Sequence, residues 1–427
     1  MYGRWTLASV LWLSGLRPAC AQTLDVIPGQ VMVDEAAVIR ASGLQPNERV
    51  LIRAELVDGE GHKWASEAEF LADAQGTVDV SKQAPVKGSY NKVSSLGLIW
   101  AMKPAEKHVE SYAAPPELGV QTTHFQLVRN GQPAASAQLE QRRIGEGMRQ
   151  IKLEGQLHGM LFLPGGNGRH PGALVLGGSE GGEPRQKAAW LASHGYAALA
   201  LGYFRDEGLP SELAGIPLEY FGMALAWMRQ RPEILPDRIA VVGTSRGGEL
   251  ALQLGSMYEN FAAVVAYVPA NVRYPACCGD TRVPYAWTWK GQPLAFVPPR
   301  SLQHPDATVV MSAAIAVEQT RGPILLIAGQ DDRVWDSPQM TEAVVARLKQ
   351  SHFPYPVEQL SYAHAGHRAG RPEIVPTWHG ALRHPVSGKM VELGGSPNGD
   401  AESSIDGIEK VLTFLRVSLP TETIPSQ

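Results

Sequence analysis

The chain has 427 residues, 44% of them hydrophobic and 19% charged, with 38 Lys and Arg against 42 Asp and Glu. That length holds a large core and two or three domains. A formal net charge of −4 removes the electrostatic case for a nucleic-acid partner.

Residues 1–21 read as a secretory leader. Arg4 supplies a basic start, residues 5–16 a short apolar run, and Ala19-Cys20-Ala21 a small-x-small cleavage site. The expectation is cleavage after Ala21 and export to a periplasmic or secreted location. A buried N-terminal helix is the alternative. The apolar run falls short of the roughly 20 residues a membrane span needs, and no other run reaches that length. After cleavage only Cys277 and Cys278 remain. A bond between neighbouring cysteines is strained and uncommon, so two thiols are expected. They make neither a disulfide framework nor a metal site.

Residues 22–145 form a β-rich unit. Short, often alternating segments at 31–34, 37–40, 49–56, 63–70 and 124–128 are separated by the turn signals Gln45-Pro46-Asn47, Asp58-Gly59-Glu60-Gly61 and Ala74-Gln75-Gly76. Regular short strands with this punctuation predict an immunoglobulin-like β-sandwich. No cluster of Ser, His and acid sits here, so a supporting or substrate-shaping role is expected.

From residue 146 to 420 the rhythm changes. Apolar strands are expected at 173–176, 196–201, 239–242, 263–268, 323–328 and 357–360. Helical spacing falls at 188–194, 218–229, 339–350 and 404–417. Strands alternating with helices predict a mostly parallel, doubly wound sheet. Residues 269–320 break the rhythm with Pro, Trp and Tyr and read as an insertion over the C-terminal edge of the sheet, placed to form a cap or pocket. Residues 421–427 are a tail.

The segment 238–257 organises the rest. Ile239-Ala240-Val241-Val242 is a strand, Gly243-Thr244-Ser245-Arg246-Gly247 a sharp turn, and Leu250, Ala251 and Leu254 have helical spacing. Strand, G-x-S-x-G and helix together form the nucleophile elbow of an α/β-hydrolase. The turn lifts the serine hydroxyl above the sheet, and the helix aims its positive end at the developing oxyanion. A serine hydroxyl needs a base, and the base needs an acid to orient it. In this fold the acid comes next and the histidine last. Asp332, in Gly329-Gln330-Asp331-Asp332, is preferred to Asp331, to which a loop or capping role falls. His367, after Gly366, is preferred to His364. His379 and His384 are expected at the surface or in loops. No Cys, His and acid set accompanies His364 and His367 at metal spacing, so no metal is expected. The oxyanion hole is expected from the backbone N–H of Arg246 and that of Ser179 or Glu180 in the loop 177–182. That loop lacks the Lys-Ser/Thr of a phosphate-binding loop. No organic cofactor is implied. The expected partner is a small-molecule ester or, on the resemblance given next, an acyl thioester.

These residues resemble the acyl-CoA thioesterase / bile acid-CoA:amino acid N-acyltransferase family. Val33-Asp34-Glu35, Ser42-Gly43-Leu44, residues 72–76, Gly88-Ser89-Tyr90 and residues 96–100 are similar to its N-terminal β-sandwich. Residues 243–250 resemble its nucleophile motif, and Val317-Glu318, residues 322–326, residues 329–332 and Trp335 its acid region. Tyr362 and Gly366-His367 resemble its histidine region. The resemblance implies Ser245 as nucleophile, Asp332 as acid and His367 as base, and hydrolysis of acyl-CoA to free acid and CoA. The family's amino-acid transferases carry cysteine where this chain has Ser245, which favours water as acceptor. Family members that act on CoA esters work inside cells, from which the expected leader departs. An exported esterase or peptidase-like hydrolase, or a non-catalytic binding module, are the alternatives.

Overall fold

The computed structural model describes residues 21–279, 282–298 and 306–421. Two β-structures follow one another along the chain. In the first, a seven-stranded sheet runs Gln30–Met32, Gln132–Arg142, Gln121–Arg129, Arg49–Val57, Lys63–Leu71 and Lys87–Gly88, with Lys103–Pro104 paired off this path. It is joined by a three-stranded sheet of Thr23–Ile27, Val38–Ser42 and Val78–Asp79. Alternation explains the strands. Val50, Ile52, Ala54 and Leu56 are buried, while Arg49, Arg53, Glu55 and Val57 face water. Trp64, Ser66, Ala68 and Phe70 do the same on the paired strand.

The second β-structure is an eight-stranded sheet. Its strands are β1 (Arg149–Lys152), β2 (His158–Leu163), β3 (His170–Leu176), β4 (Ala197–Gly202), β5 (Ile234–Thr244), β6 (Ala263–Tyr267), β7 (Ile324–Gly329) and β8 (Val357–Tyr362). The order is β1-β2-β4-β3-β5-β6-β7-β8. The β1–β2 and β2–β4 pairs are antiparallel and the rest parallel. The long helices are α1 (Arg185–Ser193), α2 (Glu219–Arg229), α3 (Arg246–Met257), α4 (Ser337–Gln350) and α5 (Pro397–Ser418). This is the α/β-hydrolase fold preceded by a β-sandwich.

Both faces of the central strands are buried, so they read as continuous apolar runs. Period 2 still divides them. Ile239 and Val241 join Phe221, Leu250 and Leu348 on one face. Ala240 and Val242 join Trp190, Phe414 and the sandwich residues Val33, Trp100 and Leu139 on the other. The sandwich thus shares one continuous core with the α1 and α5 face of the sheet. Polar bonds fix the docking. Asp34 accepts from Trp190 Nε1 at 2.9 Å and lies 2.7 Å from His194 Nε2, and Ile374 N donates to Val33 O at 2.8 Å. Among the described residues no helix is long and apolar enough to cross a membrane.

Candidate active site

Strand β5 ends at Thr244 and helix α3 starts at Arg246, so Ser245 occupies the whole turn, with φ 57° and ψ −119°. A positive φ on a non-glycine residue is strained and is retained where the surroundings enforce it. Two glycines allow the enforcement. A Cβ on Gly243 would collide with the Gly247 carbonyl, and one on Gly247 with the carbonyls of Gly177 and Leu176. Ser245 N donates to Tyr267 O at 2.9 Å, which ties the turn to β6.

His367 reaches this serine from the loop after β8. Its Nε2 lies 2.8 Å from Ser245 Oγ, and its Nδ1 lies 2.8 Å from Asp332 Oδ2. Asp332, from the loop after β7, has a side chain with 0% exposure. Its Oδ2 also accepts from Ser337 Oγ at 2.7 Å, and its Oδ1 from Val334 N at 2.9 Å and Trp335 N at 3.4 Å. An acceptor-only carboxylate at Nδ1 puts the imidazole proton there and leaves a lone pair on Nε2 facing the serine hydroxyl. Trp335 packs edge-on against the ring, centroids 5.4 Å apart, and anchors its own Nε1 on Val268 O at 3.1 Å. The loop carrying His367 is pinned from α5, where Asp400 Oδ1 accepts from Gly366 N at 2.9 Å.

The rejected candidates sit elsewhere. Asp331 is 43% exposed, and the Gly395 N–H and Arg333 hold its carboxyl below the usual carboxylate range. His364 is exposed, with φ 62°, and its carbonyl accepts from Ser396 N at 2.8 Å. His379 and His384 fall in the loop-rich stretch between β8 and α5, in line with the expected loop positions, and neither is fully exposed. His379 is not at the surface, because its ring packs on Asp400, 3.3 Å away, and is 9% exposed. His384 is half-buried and belongs to the site. Its Nδ1 accepts from Val386 N and Ser387 N at 3.2 Å, so Nε2 carries the proton and donates to Ser179 Oγ at 2.9 Å. Both histidines lie in the stretch between β8 and α5, whose packing against Ser179 and α5 leaves no trace in local sequence.

The loop after β3 lies against Ser245. A Cβ on Gly178 would sit 3.2 Å from Ser245 Cβ. Gly178 N–H already donates to Glu180 Oε1 at 2.9 Å. Ser179 N–H has no acceptor among the described residues. Arg246 N–H is the first of α3 and is free by helix geometry. The Arg246 side chain turns away, to Pro275 O at 2.8 Å and Glu249 Oε2 at 3.0 Å. Trp287 Nε1 donates to Glu249 Oε1 at 2.7 Å, so this buried pair ties the insertion to α3. Burial pushes the Glu249 carboxyl up while Arg246 pulls it down, with burial prevailing. The insertion also corrects the cysteine expectation: Cys277 and Cys278 are joined by a disulfide, with Cys278 at φ 81°.

A cavity of about 530 Å³ adjoins His367 on the sandwich side, lined by Val33, Leu118, Gly177, Trp190 and Thr244 among others. Its wall mixes apolar residues with charged ones, among them Glu180, Lys187, Arg368 and Glu373, and its size is that of a small-molecule site.

Comparison with known proteins fits this geometry. Residues 34–155 match the family model described as the acyl-CoA thioester hydrolase/BAAT N-terminal region, and residues 216–421 the one described as BAAT / acyl-CoA thioester hydrolase C terminal. The chain is 31% identical to acyl-coenzyme A thioesterase 6 of Mus musculus, over 94% of this chain and 98% of that one. It is 29% identical to the mouse peroxisomal succinyl-coenzyme A thioesterase, over 92% and 96% of the two chains. It is also 29% identical to the mouse mitochondrial acyl-coenzyme A thioesterase 2, over 94% and 90%. Among solved structures, an α/β hydrolase from a Medee basin deep-sea metagenome library aligns with a TM-score of 0.41 and 18% identity, over 65% of this chain and 100% of that one. The expected export is overturned by these relatives: those whose names carry a compartment are peroxisomal or mitochondrial, inside the cell. The leader residues 1–20 on which it rested lie outside the described residues. With both family models matched in order and a relative 31% identical across nearly all of both chains, the chain belongs to the acyl-CoA thioester hydrolase family and is an enzyme of the α/β-hydrolase fold.

Proposed function

We propose that the protein hydrolyses acyl-CoA thioesters to free acid and CoA through an acyl-enzyme on Ser245. One observation carries the reading: Ser245 Oγ lies 2.8 Å from His367 Nε2, whose Nδ1 lies 2.8 Å from Asp332. Ser245 Oγ attacks the thioester carbonyl carbon and its proton passes to His367 Nε2. The carbonyl oxygen takes the electron pair and is held by the N–H groups of Arg246 and Ser179. The C–O double bond re-forms, the C–S bond breaks, and the Nε2 proton goes to the leaving thiolate. Water then attacks the ester on Ser245 and gives one proton to Nε2. The tetrahedral intermediate collapses, the proton returns to Ser245 Oγ, and the acid leaves. Asp332 stays ionised and steadies the imidazolium at each stage. Serine at position 245 supports water as the acceptor, because an acyl ester on oxygen is less activated toward an amine than a thioester.

A hydrolysis panel tests this reading. Acyl-CoA thioesters are compared with oxygen esters of the same acyl groups. Turnover with kcat/KM at least tenfold higher for the thioesters supports it. Preference for the oxygen esters would reassign the enzyme as a carboxylesterase on the same scaffold.

A further inference from the structure

The triad leaves idle two cations in the wall of the adjoining cavity. Lys187, on α1, directs Nζ to Thr244 Oγ1 at 2.5 Å and lies 3.5 Å over the Tyr267 ring. Thr244 immediately precedes the nucleophile. Arg368 immediately follows His367, lines the same cavity, and its guanidinium has no hydrogen-bond or ion-pair partner among the described residues. Arg143 stands beside them with a side chain 2% exposed. It reaches Tyr112 Oη at 3.2 Å and Glu373 at 3.6 Å, and its Nε and one terminal nitrogen are unpartnered.

The carboxylates of the wall are already engaged. Glu373 is held by Arg371 at 2.8 Å as well as by Arg143. Glu180 accepts from Gly178 N–H, and Glu183 pairs with Arg185 at 2.5 Å. Among the described residues no carboxylate lies within ion-pair distance of Lys187 or Arg368. Both side chains are half-buried, and a cation partly withdrawn from water without an anion is destabilised and resists its charge. Burial accordingly pushes Lys187 down to about 7, with Arg371 adding repulsion and Glu180 and Glu373 offsetting little. Burial pushes Arg368 down to about 9 in the same way, against Asp400 and Glu373. An anion in the cavity would supply what both lack.

We infer that Lys187 and Arg368 form an anion-binding site beside the nucleophile that takes one carboxylate or phosphate group of the substrate. The two sources are a distal carboxylate on the acyl chain and a phosphate on the leaving group. This rests on the thioesterase reading for the identity of the substrate, but not for the existence of the site.

The test has a binding arm and a turnover arm. Glutarate and inorganic phosphate are titrated into the wild type, Arg368→Gln and Lys187→Met by calorimetry, with folding checked by thermal unfolding. Arg368→Lys serves as the conservative variant. The wild type is expected to bind at least one of the anions. Each neutral substitution should weaken that binding about tenfold, the scale of one charge-assisted hydrogen bond, with Arg368→Lys recovering part of it. In turnover, a fall in the glutaryl-CoA to pentanoyl-CoA ratio of kcat/KM assigns the anion to the acyl chain. A fall in the ratio of pentanoyl-CoA to pentanoyl-pantetheine assigns it to the leaving group. No binding of either anion, or binding within twofold of wild type in the folded variants, overturns the site. Binding that is lost while neither ratio moves overturns its assignment to substrate. Absence of all thioester turnover by the wild type defeats the thioesterase reading and leaves the binding arm to decide the site.

Discussion

Replacing Asp332 by Asn exchanges one oxygen for nitrogen and keeps the shape of the side chain. Its consequences follow from the four donors around the carboxylate. Val334 N and Trp335 N, at 2.9 and 3.4 Å from Oδ1, are backbone groups and cannot turn. The amide oxygen must therefore face them, and the NH₂ faces Ser337 Oγ and His367 Nδ1, where Oδ2 accepted at 2.7 and 2.8 Å. The Ser337 hydroxyl can rotate to accept. The imidazole can accept only by moving its proton to Nε2, and that proton then opposes the Ser245 hydroxyl. The base is lost with the geometry intact. The expected fall in kcat is about 10⁴-fold, or about 5.5 kcal/mol of barrier. Release of thiol from an acyl-CoA, followed with a thiol-reactive chromophore, measures it, and thermal unfolding shows whether the variant is folded. Asp331→Asn is the control and should stay within about threefold, since Asp331 serves Gly395 and Arg333. A folded Asp332→Asn that keeps more than a tenth of wild-type kcat would refute the reasoning.

Other substitutions probe the surroundings. Gly247→Ala forces a Cβ into the backbone of Gly177 and Leu176; it should destabilise by about 3 kcal/mol and abolish turnover, read from the urea midpoint and the same assay. His384→Ala removes the donor to Ser179 Oγ; kcat should fall about tenfold with KM little changed, because the loop that carries the Ser179 N–H loses its anchor. Lys187 is held near 7 against an ordinary 10.5. Between those values the unfolded chain binds more protons at this position, so native stability rises with pH there. Lys187→Met removes that dependence, and its Tm advantage should be largest below pH 7 and shrink toward pH 10.5. A Tm difference that is flat from pH 6 to 10 would contradict the assignment.

What could be read from the sequence was what is local. Apolar runs gave β3 to β7, because strands buried on both faces carry little else. The elbow was legible because Gly243 and Gly247 are the only residue type that fits where the strand and helix meet the loop 177–182. The acid and base followed from chain order. The antiparallel strands β1 and β2 were not named; β1, Arg149–Lys152, is short and mostly exposed. Helix α5 was placed to begin near 404, whereas it starts at Pro397, capped by Ser396. Its first turns bury Gly399, Asp400 and Ser403, polar or small residues that bond the loop carrying His367 and break the apolar pattern. His384, Lys187 and Arg368 were equally hidden. Each acquires its meaning from a partner on a different element, a pairing that composition and spacing do not encode.

The central claim is that an acyl group passes through Ser245. Protein incubated briefly with an acyl-CoA, quenched in acid and digested, can be read by mass spectrometry for the acylated peptide. The account predicts the acyl mass on the peptide containing Gly243-Thr244-Ser245-Arg246, and none in Ser245→Ala, whose turnover should fall about 10⁴-fold or more. Sustained thioester hydrolysis by a folded Ser245→Ala, or an acyl adduct on another residue, would contradict it.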